Sequence, residues 1–251
     1  MPTPFSHLVA IDRLLTDEAV PATIRDSLNA QRPAYLLGSV APDARVEAEN
    51  PREATHFYHY ERPYEKAPWR IMLDQHPSLA APADPALRAF VAGYVAHLAM
   101  DQVWTEDMLV PHFGNGTWGE DIKTRFFVLH LMLIDMDERD LQLIPAYAPD
   151  EVCAAQPDHW LPFMPHDVLI GWQQLIYDQI KPDGESKTHE IFGERTKRPA
   201  EELHRLARDE DWMHEHLWRH VPRTVMASVE DEMYDFARDS LIAYTQGSSA
   251  G

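Results

Sequence analysis

The chain has a single cysteine among its 251 residues, Cys153, and this scarcity excludes two kinds of site. A lone thiol cannot form a disulfide within the chain, and it cannot supply a cysteine-rich zinc site. A metal ion bound by this chain would therefore need nitrogen and oxygen ligands, which come from histidine and carboxylate side chains.

Long apolar runs are also missing from the sequence. No stretch of about eighteen apolar residues occurs, which disfavours a transmembrane helix. The N-terminal sequence MPTPFSHLVAIDRLL lacks the basic region, the long apolar core and the cleavage site of a secretory signal. We therefore expect a cytoplasmic protein without stable membrane association.

Basic residues are few in comparison with acidic ones. The chain has 22 Lys and Arg against 41 Asp and Glu, which gives a formal net charge of -19. A surface of this sign repels the phosphates of nucleic acids and the headgroups of anionic lipids. The charge therefore disfavours nucleic acid as a partner, and we expect a small-molecule substrate instead.

Twenty prolines separate stretches in which apolar residues recur with helical spacing, and no series of strands is evident. The predicted helices are 6–15, 21–30, one that starts at Asp84, 122–143, 166–182, and two within 197–219 and 222–245. The predicted connections are 44–68, the glycine-rich segment PHFGNGTWGED, 145–165 and an exposed segment 181–190. The sequence thus predicts an all-α protein, a multi-helix bundle in one domain of residues 1–251. Its parts would be a core of residues 1–145, additional helices in 146–245 and a disordered tail, 246–251.

The helix that starts at Asp84 carries the segment GYVAHLAMDQVW, in which His97 and Asp101 are the only ionisable side chains. They lie four residues apart, so they share one helix face and can reach one metal ion. Burying a lone carboxylate costs several kcal/mol, and a metal ion compensates for that cost. A hydrogen-bonded His–Asp pair, or an ion pair of Asp101 with an arginine, would be alternative explanations for the same two residues.

Four other residues, which precede His97 in the chain, are further candidates for the metal site. Asp43 ends the apolar segment YLLGSVAPD, His56 lies among aromatic residues in REATHFYHY, and His7 lies one turn into the first helix. Each also has an ordinary structural explanation: a turn for Asp43, core packing for His56 and a partly buried surface position for His7. His59 could orient a ligand through a hydrogen bond, or it could lie on the surface.

Together, four short motifs resemble the zinc-dependent phospholipase C family, which is related to the S1/P1-type nucleases. They are TPFSHLVAIDRLL, GSVAPD, THF and GYVAHLAMD, and they occur in the family's order with similar gaps. The similarity extends to about residue 145, so the chain resembles a divergent member. The resemblance implies a helical bundle that holds a cluster of up to three zinc ions.

The resemblance also implies a role for each matched residue. One zinc ion would have four ligands: Asp43, His56, His97 and Asp101. Asp101 would bridge to a neighbouring zinc ion, which His7 would also bind. Asp43 would act as the general base towards the attacking water. The resemblance thus implies a core with two metal ions.

A third zinc ion matches the family pattern less well. The family has a histidine soon after the HxxxD motif, and then a histidine and a glutamate one turn apart on the next helix. Here His112 comes eleven residues after Asp101, and the residue four positions after His130 is Ile134. A further metal site would therefore need His112, His130 and Asp137. The alternative is that His130 belongs to the core and His112 to a loop.

The resemblance implies a metal-dependent hydrolase of phosphoesters or phosphodiesters, because paired cations bind phosphoryl oxygens and activate water. The strong acidity and the expected cytoplasmic location favour a small soluble substrate. A first alternative is a redox enzyme with iron or manganese, although the Glu-x-x-His signature of di-iron bundles is absent. A second alternative is a non-catalytic helical protein whose metal ion is structural or vestigial.

Overall fold

The structure is a computed structural model that describes residues 2–46, 51–59 and 64–248, and this part of the chain is helical, without strands. Its α-helices are α1 (Pro4–Leu14), α2 (Ala22–Ala30), α3 (Arg32–Val40), α4 (Glu53–His56), α5 (Pro68–Gln75), α6 (Pro85–Val103), α7 (Ile122–Leu141), α8 (Ala148–Ala154), α9 (His166–Ile180), α10 (Thr188–Thr196), α11 (Ala200–Ala207), α12 (Glu210–Met213) and α13 (Arg223–Ser248). Two 3-10 helices cover Ala41–Val46 and Pro77–Leu79, and two π-helical segments cover Trp104–Gly114 and His214–Trp218. The predicted all-α class is confirmed.

Helix α6 lies at the centre of the protein. Every side chain from Ala89 to Asp101 is buried, as expected for a helix that is apolar on all faces. It packs against both α3 and α13. The predicted start of this helix is confirmed, because the carboxylate of Asp84 accepts a hydrogen bond of 3.0 Å from the backbone N–H of Ala86.

A pair of glycines allows α3 and α6 to approach each other closely. A Cβ atom at Gly38 would lie 2.0 Å from the carbonyl oxygen of Phe90, and one at Gly93 would lie 2.3 Å from the carbonyl oxygen of Tyr35. Both neighbours are backbone atoms, so neither position has room for a methyl group. This close approach brings the end of α3 to the part of α6 that carries the candidate ligands.

Four predicted helices correspond to observed ones within two residues at each end. They are 6–15, 21–30, 122–143 and 166–182, which correspond to α1, α2, α7 and α9. The predicted helix within 197–219 is divided instead into α11, α12 and a π-helical segment. Local periodicity thus located the long helices, whereas tertiary packing decided where the polar ones break.

Several segments that the sequence predicts as connections contain helices. Segment 44–68 includes α4, 145–165 includes α8, and the glycine-rich segment begins inside the π-helical continuation of α6. Segment 181–190 was expected to be exposed, but Thr188 is buried and the Ser186 hydroxyl donates a hydrogen bond of 2.7 Å to Asp137. Residues 47–50 and 60–63 of segment 44–68 lie outside the described residues. Helices as short as α4 and α8 contain too few residues for a clear apolar period, so the sequence pattern does not predict them.

The end of α13 corrects the predicted tail. The helix continues to Ser248, so 246–248 are helical, while 249–251 lie outside the described residues. Near this end, the buried side chain of Tyr244 donates a hydrogen bond of 3.1 Å to the carbonyl oxygen of Leu79 and so anchors the helix.

The buried apolar side chains form one hydrophobic cluster that extends from Phe5 on α1 to Tyr244 on α13. Within the described ranges, no helix combines the length and the apolar character that crossing a membrane requires. Polar side chains that are buried beside this hydrophobic cluster need hydrogen-bond or charge partners, and several of them lie together.

Candidate metal centre

The five candidate ligands of the predicted two-metal core come together at one buried position. They are His7 on α1, Asp43 on the 3-10 helix after α3, His56 at the end of α4, and His97 and Asp101 on α6. Four of these side chains have no exposed surface, and Asp43 is 15% exposed. We call these five residues the central cluster.

Asp101 lies at the middle of the central cluster. Its Oδ2 atom is 3.3 Å from Nε2 of His56 and 3.5 Å from Nε2 of His97, while its Oδ1 atom is 3.5 Å from Nε2 of His7. Nε2 of His56 also lies 3.5 Å from Oδ1 of Asp43. The two oxygens of Asp101 thus face different histidines, which is the arrangement that a bridging carboxylate requires.

These separations fit ligands of a metal ion better than partners in hydrogen bonds. Tetrahedral zinc with bonds near 2.1 Å has ligand atoms about 3.4 Å apart. Nε2 of His7, His56 and His97 and Oδ1 of Asp101 are all buried, and none has a hydrogen-bond partner in the described part of the chain. Each such atom costs about 1–3 kcal/mol, a penalty that a bound cation removes. The central cluster could therefore hold a metal ion.

Main-chain and hydroxyl oxygens orient two of the histidines. Nδ1 of His97 donates a hydrogen bond of 2.7 Å to the carbonyl oxygen of Ser39, so in the neutral ring Nε2 keeps a lone pair that faces the cluster. Nδ1 of His56 lies 2.9 Å from the hydroxyl oxygen of Thr55. The sequence reasoning missed Ser39, because a main-chain carbonyl at a helix end leaves no signal in residue type.

Arg52 is the second contact that the sequence reasoning missed. Its guanidinium contacts Oδ2 of Asp101, its Nε atom donates a hydrogen bond of 3.1 Å to the hydroxyl of Tyr58, and its side chain is only 10% exposed. It precedes His56 by four residues, a helical spacing that could have indicated a shared site. This contact is the Asp101–arginine ion pair that the sequence leaves open as an alternative.

The charges of the central cluster shift the pKa values of its members. Burial and the neighbouring His97 lower the pKa of His7 to about 4, against the opposite effect of Asp101. Burial and the charge of Arg52 lower the pKa of His56. Burial alone would raise the pKa of Asp101, but Arg52 and His97 hold it well below its usual range. Neutral His7 and His56 beside an ionised Asp101 are in the protonation states that bind a cation. Burial would lower the pKa of His97, but the charge of Asp101 raises it above its usual value, so His97 has to lose a proton before it binds a cation.

We expect the metal-free protein to lose stability as the pH falls below 6.5. Because the pKa of His7 is lowered on folding, the unfolded chain binds more protons than the folded one between pH 6.5 and about 4. From pH 6.5 to pH 5, this residue alone should lower the free energy of unfolding by about 1.6 kcal/mol. Denaturant unfolding of chelator-treated protein at the two pH values measures the change. The variant His7→Gln should show a weaker pH dependence, and an unchanged dependence would contradict the assignment.

His59 lies on the surface rather than behind the central cluster. Its side chain is 72% exposed, and its Nδ1 atom lies 3.1 Å from Oε1 of Glu53. The surface alternative for His59 is therefore the one observed, and the hydroxyl of Thr55, the residue before His56, lies beside the His56 ring instead.

The three residues of the predicted further metal site do not come together. His112, His130 and Asp137 are not among the groups of three described side chains whose ligand atoms lie within 4.8 Å of one another. Nδ1 of His130 instead donates a hydrogen bond of 2.6 Å to the carbonyl oxygen of Phe126, and Asp137 accepts one from Ser186. Burial raises the pKa of Asp137, which suits a hydrogen-bonded acid rather than a metal ligand.

A cavity of about 1090 Å³ borders the central cluster. Asp43 and Arg52 belong to its lining, together with basic residues from elsewhere in the chain, Arg45, Lys187 and Arg195. Much of the remaining wall is apolar and comes from α7, α9, α10 and the π-helical segment; it includes Leu109, Ile122, Phe126, Leu129, Leu133, Leu175, Ile191 and Phe192. The cavity wall thus combines charged side chains at the central cluster and around α10 with many apolar ones.

Comparison with known proteins finds no match to any family model, curated protein or solved structure. The resemblance to the zinc-dependent phospholipase C family therefore stays a prediction, and so does that type of helical bundle. The function proposed below is therefore argued from the geometry of the central cluster and of the cavity.

Proposed function

We propose that the protein is a metal-dependent hydrolase of phosphoesters or phosphodiesters, with two zinc ions held by the central cluster. The observation that carries this proposal is the convergence of three buried, unpaired histidine nitrogens on two carboxylates at the edge of a cavity. Pairs of cations in such a ligand set act as Lewis acids on a phosphoryl oxygen and lower the pKa of water.

Asp43 is best placed to act as the general base. It is the one member of the central cluster with exposed surface, and it lines the cavity from which substrate and water would approach. Burial would raise the pKa of Asp43, but the neighbouring His56 and the charge of His97 lower it, so the carboxylate is ionised at neutral pH. An ionised carboxylate at this position can accept a proton from the attacking water.

Arg52 is a candidate for binding the phosphoryl group. Its guanidinium reaches Asp101 and also lines the cavity, so it lies where the cluster meets the substrate chamber. Guanidinium groups bind phosphate oxygens through paired hydrogen bonds. The apolar wall of the chamber favours a phosphoester that carries a bulky apolar group over one that is small and wholly polar.

A hydrolysis assay tests the proposed function. Zinc-loaded wild-type protein should hydrolyse a chromogenic phosphodiester, and Asp43→Asn should lower kcat at least about 100-fold because the amide cannot accept the proton. Asp107→Asn removes a carboxylate from an exposed position on the π-helical segment and should leave the rate unchanged. Zinc-loaded wild type that hydrolyses neither phosphomonoesters nor phosphodiesters would contradict the proposal.

The contact between Arg52 and Asp101 favours a second candidate, a non-catalytic protein in which the central cluster is a buried ionic network. In such a network the guanidinium of Arg52 neutralises the charge of the Asp101 carboxylate without a metal ion. Elemental analysis of protein purified without an affinity tag separates the two candidates. Bound zinc favours the hydrolase, iron favours the redox alternative, and folded protein that takes up no metal favours the ionic network.

A further inference from the structure

A second group of candidate metal ligands lies where α10 and α11 pack against α7. Glu138 belongs to α7, His189 to α10 and His204 to α11, and their ligand atoms lie within 4.8 Å of one another. The group shares no residue with the central cluster. The sequence reasoning assigned no role to any of the three.

The three ligand atoms form a nearly regular triangle. Nε2 of His189 lies 3.3 Å from Oε1 of Glu138, Nδ1 of His204 lies 3.6 Å from the same oxygen, and the two nitrogens are 3.3 Å apart. The ligands of tetrahedral zinc are about 3.4 Å apart, so one ion can contact all three atoms without a large movement of any helix.

The environment of each atom suits a cation. Oε1 of Glu138 is buried and has no hydrogen-bond partner of good geometry among the described residues. The other oxygen, Oε2, accepts a hydrogen bond of 3.2 Å from Nε of Arg208, which orients the carboxylate.

The exposure of the group leaves one side open. The side chain of His189 is 18% exposed and that of His204 is 45% exposed, so water can reach the fourth position of a tetrahedral ion. Two histidines and one glutamate, completed by water, form a common zinc ligand set.

We propose that Glu138, His189 and His204 form a separate zinc site that fastens α10 and α11 to α7. Both α7 and α10 line the large cavity, through residues such as Leu133 and Phe192. Zinc bound here would fix the position of α10 relative to α7, and so the distance between these two walls of the cavity. The site needs no ligand from the central cluster, so it stands independently of the proposed function.

Zinc titration of the chelator-treated full-length protein tests this proposal. Wild type should bind one more zinc ion per chain than His204→Ala, or bind it at least about tenfold more tightly. Glu138→Gln should behave like His204→Ala, because the amide keeps the size of the side chain and loses its charge. His214→Ala removes an exposed histidine outside both groups and should match the wild type.

Limited proteolysis gives a second measurement. Zinc should slow cleavage within segment 181–207 at least about tenfold in the wild type and in His214→Ala, and it should have no such effect in His204→Ala. Equal zinc stoichiometry and affinity in the wild type, His204→Ala and Glu138→Gln would overturn the proposal. So would zinc protection of this segment that survives in both variants.

Discussion

Replacing Asp101 by asparagine should release at least one zinc ion per chain from the central cluster and lower phosphodiester hydrolysis by about 1000-fold or more. The two carboxylate oxygens of Asp101 face different histidines, at 3.3 Å from His56 and at 3.5 Å from His7. An asparagine keeps the shape of the side chain but offers one neutral oxygen in place of two charged ones. A bridging role cannot survive that change.

The same substitution should also destabilise the metal-free protein. Arg52 would lose its charged partner in a largely buried position, and such a loss costs about 3–5 kcal/mol. Metal content measured by elemental analysis, the hydrolysis rate and denaturant unfolding together test this prediction, with the exposed Asp107→Asn as the control. An Asp101→Asn protein that keeps its full metal content would show that the carboxylate does not bridge two ions.

Gly93→Ala should lower the free energy of unfolding by about 3 kcal/mol or more. The added methyl group would lie 2.3 Å from the carbonyl oxygen of Tyr35, and a backbone atom inside a helix cannot rotate away. Helix α3 would have to move away from α6, which would lengthen the 2.7 Å hydrogen bond from His97 to the Ser39 carbonyl. Zinc affinity at the central cluster should therefore fall together with stability.

A matched glycine makes this prediction specific. Gly171 on α9 is exposed and has no atom within 4 Å of an added Cβ. Gly171→Ala should therefore raise stability by roughly 0.5–1 kcal/mol, since alanine loses less conformational entropy in a helix. Denaturant unfolding of both variants gives the comparison, and equal stabilities would show that the α3–α6 contact is less tight than described.

The parts of the fold and site that could be predicted are those that depend on local pattern. The apolar segment from Asp84 onward predicted the helix that carries the site, and the four-residue spacing of His97 and Asp101 placed both on one face. The convergence of His7, Asp43 and His56 on that face is a matter of tertiary packing. Only the family resemblance predicted it.

Other features could not be predicted because they depend on how distant elements pack. The Ser39 carbonyl reaches His97 only because glycines bring α3 and α6 together, and Arg52 reaches Asp101 from a separate short helix. The proposed zinc site of Glu138, His189 and His204 combines three helices that show no shared pattern in the sequence.

The partial exposure of Asp43 has a kinetic consequence for the central cluster. Its other four members have no exposed surface, so among the residues that the structure describes, the route for an ion leads past Asp43 and the neighbouring Arg52, through the cavity. A molecule that fills the cavity would then block this route in both directions. Exchange of the metal ion with the solvent should accordingly be slow when a molecule fills the cavity and fast when the cavity is empty. This difference should hold even where the equilibrium affinity for the ion is the same.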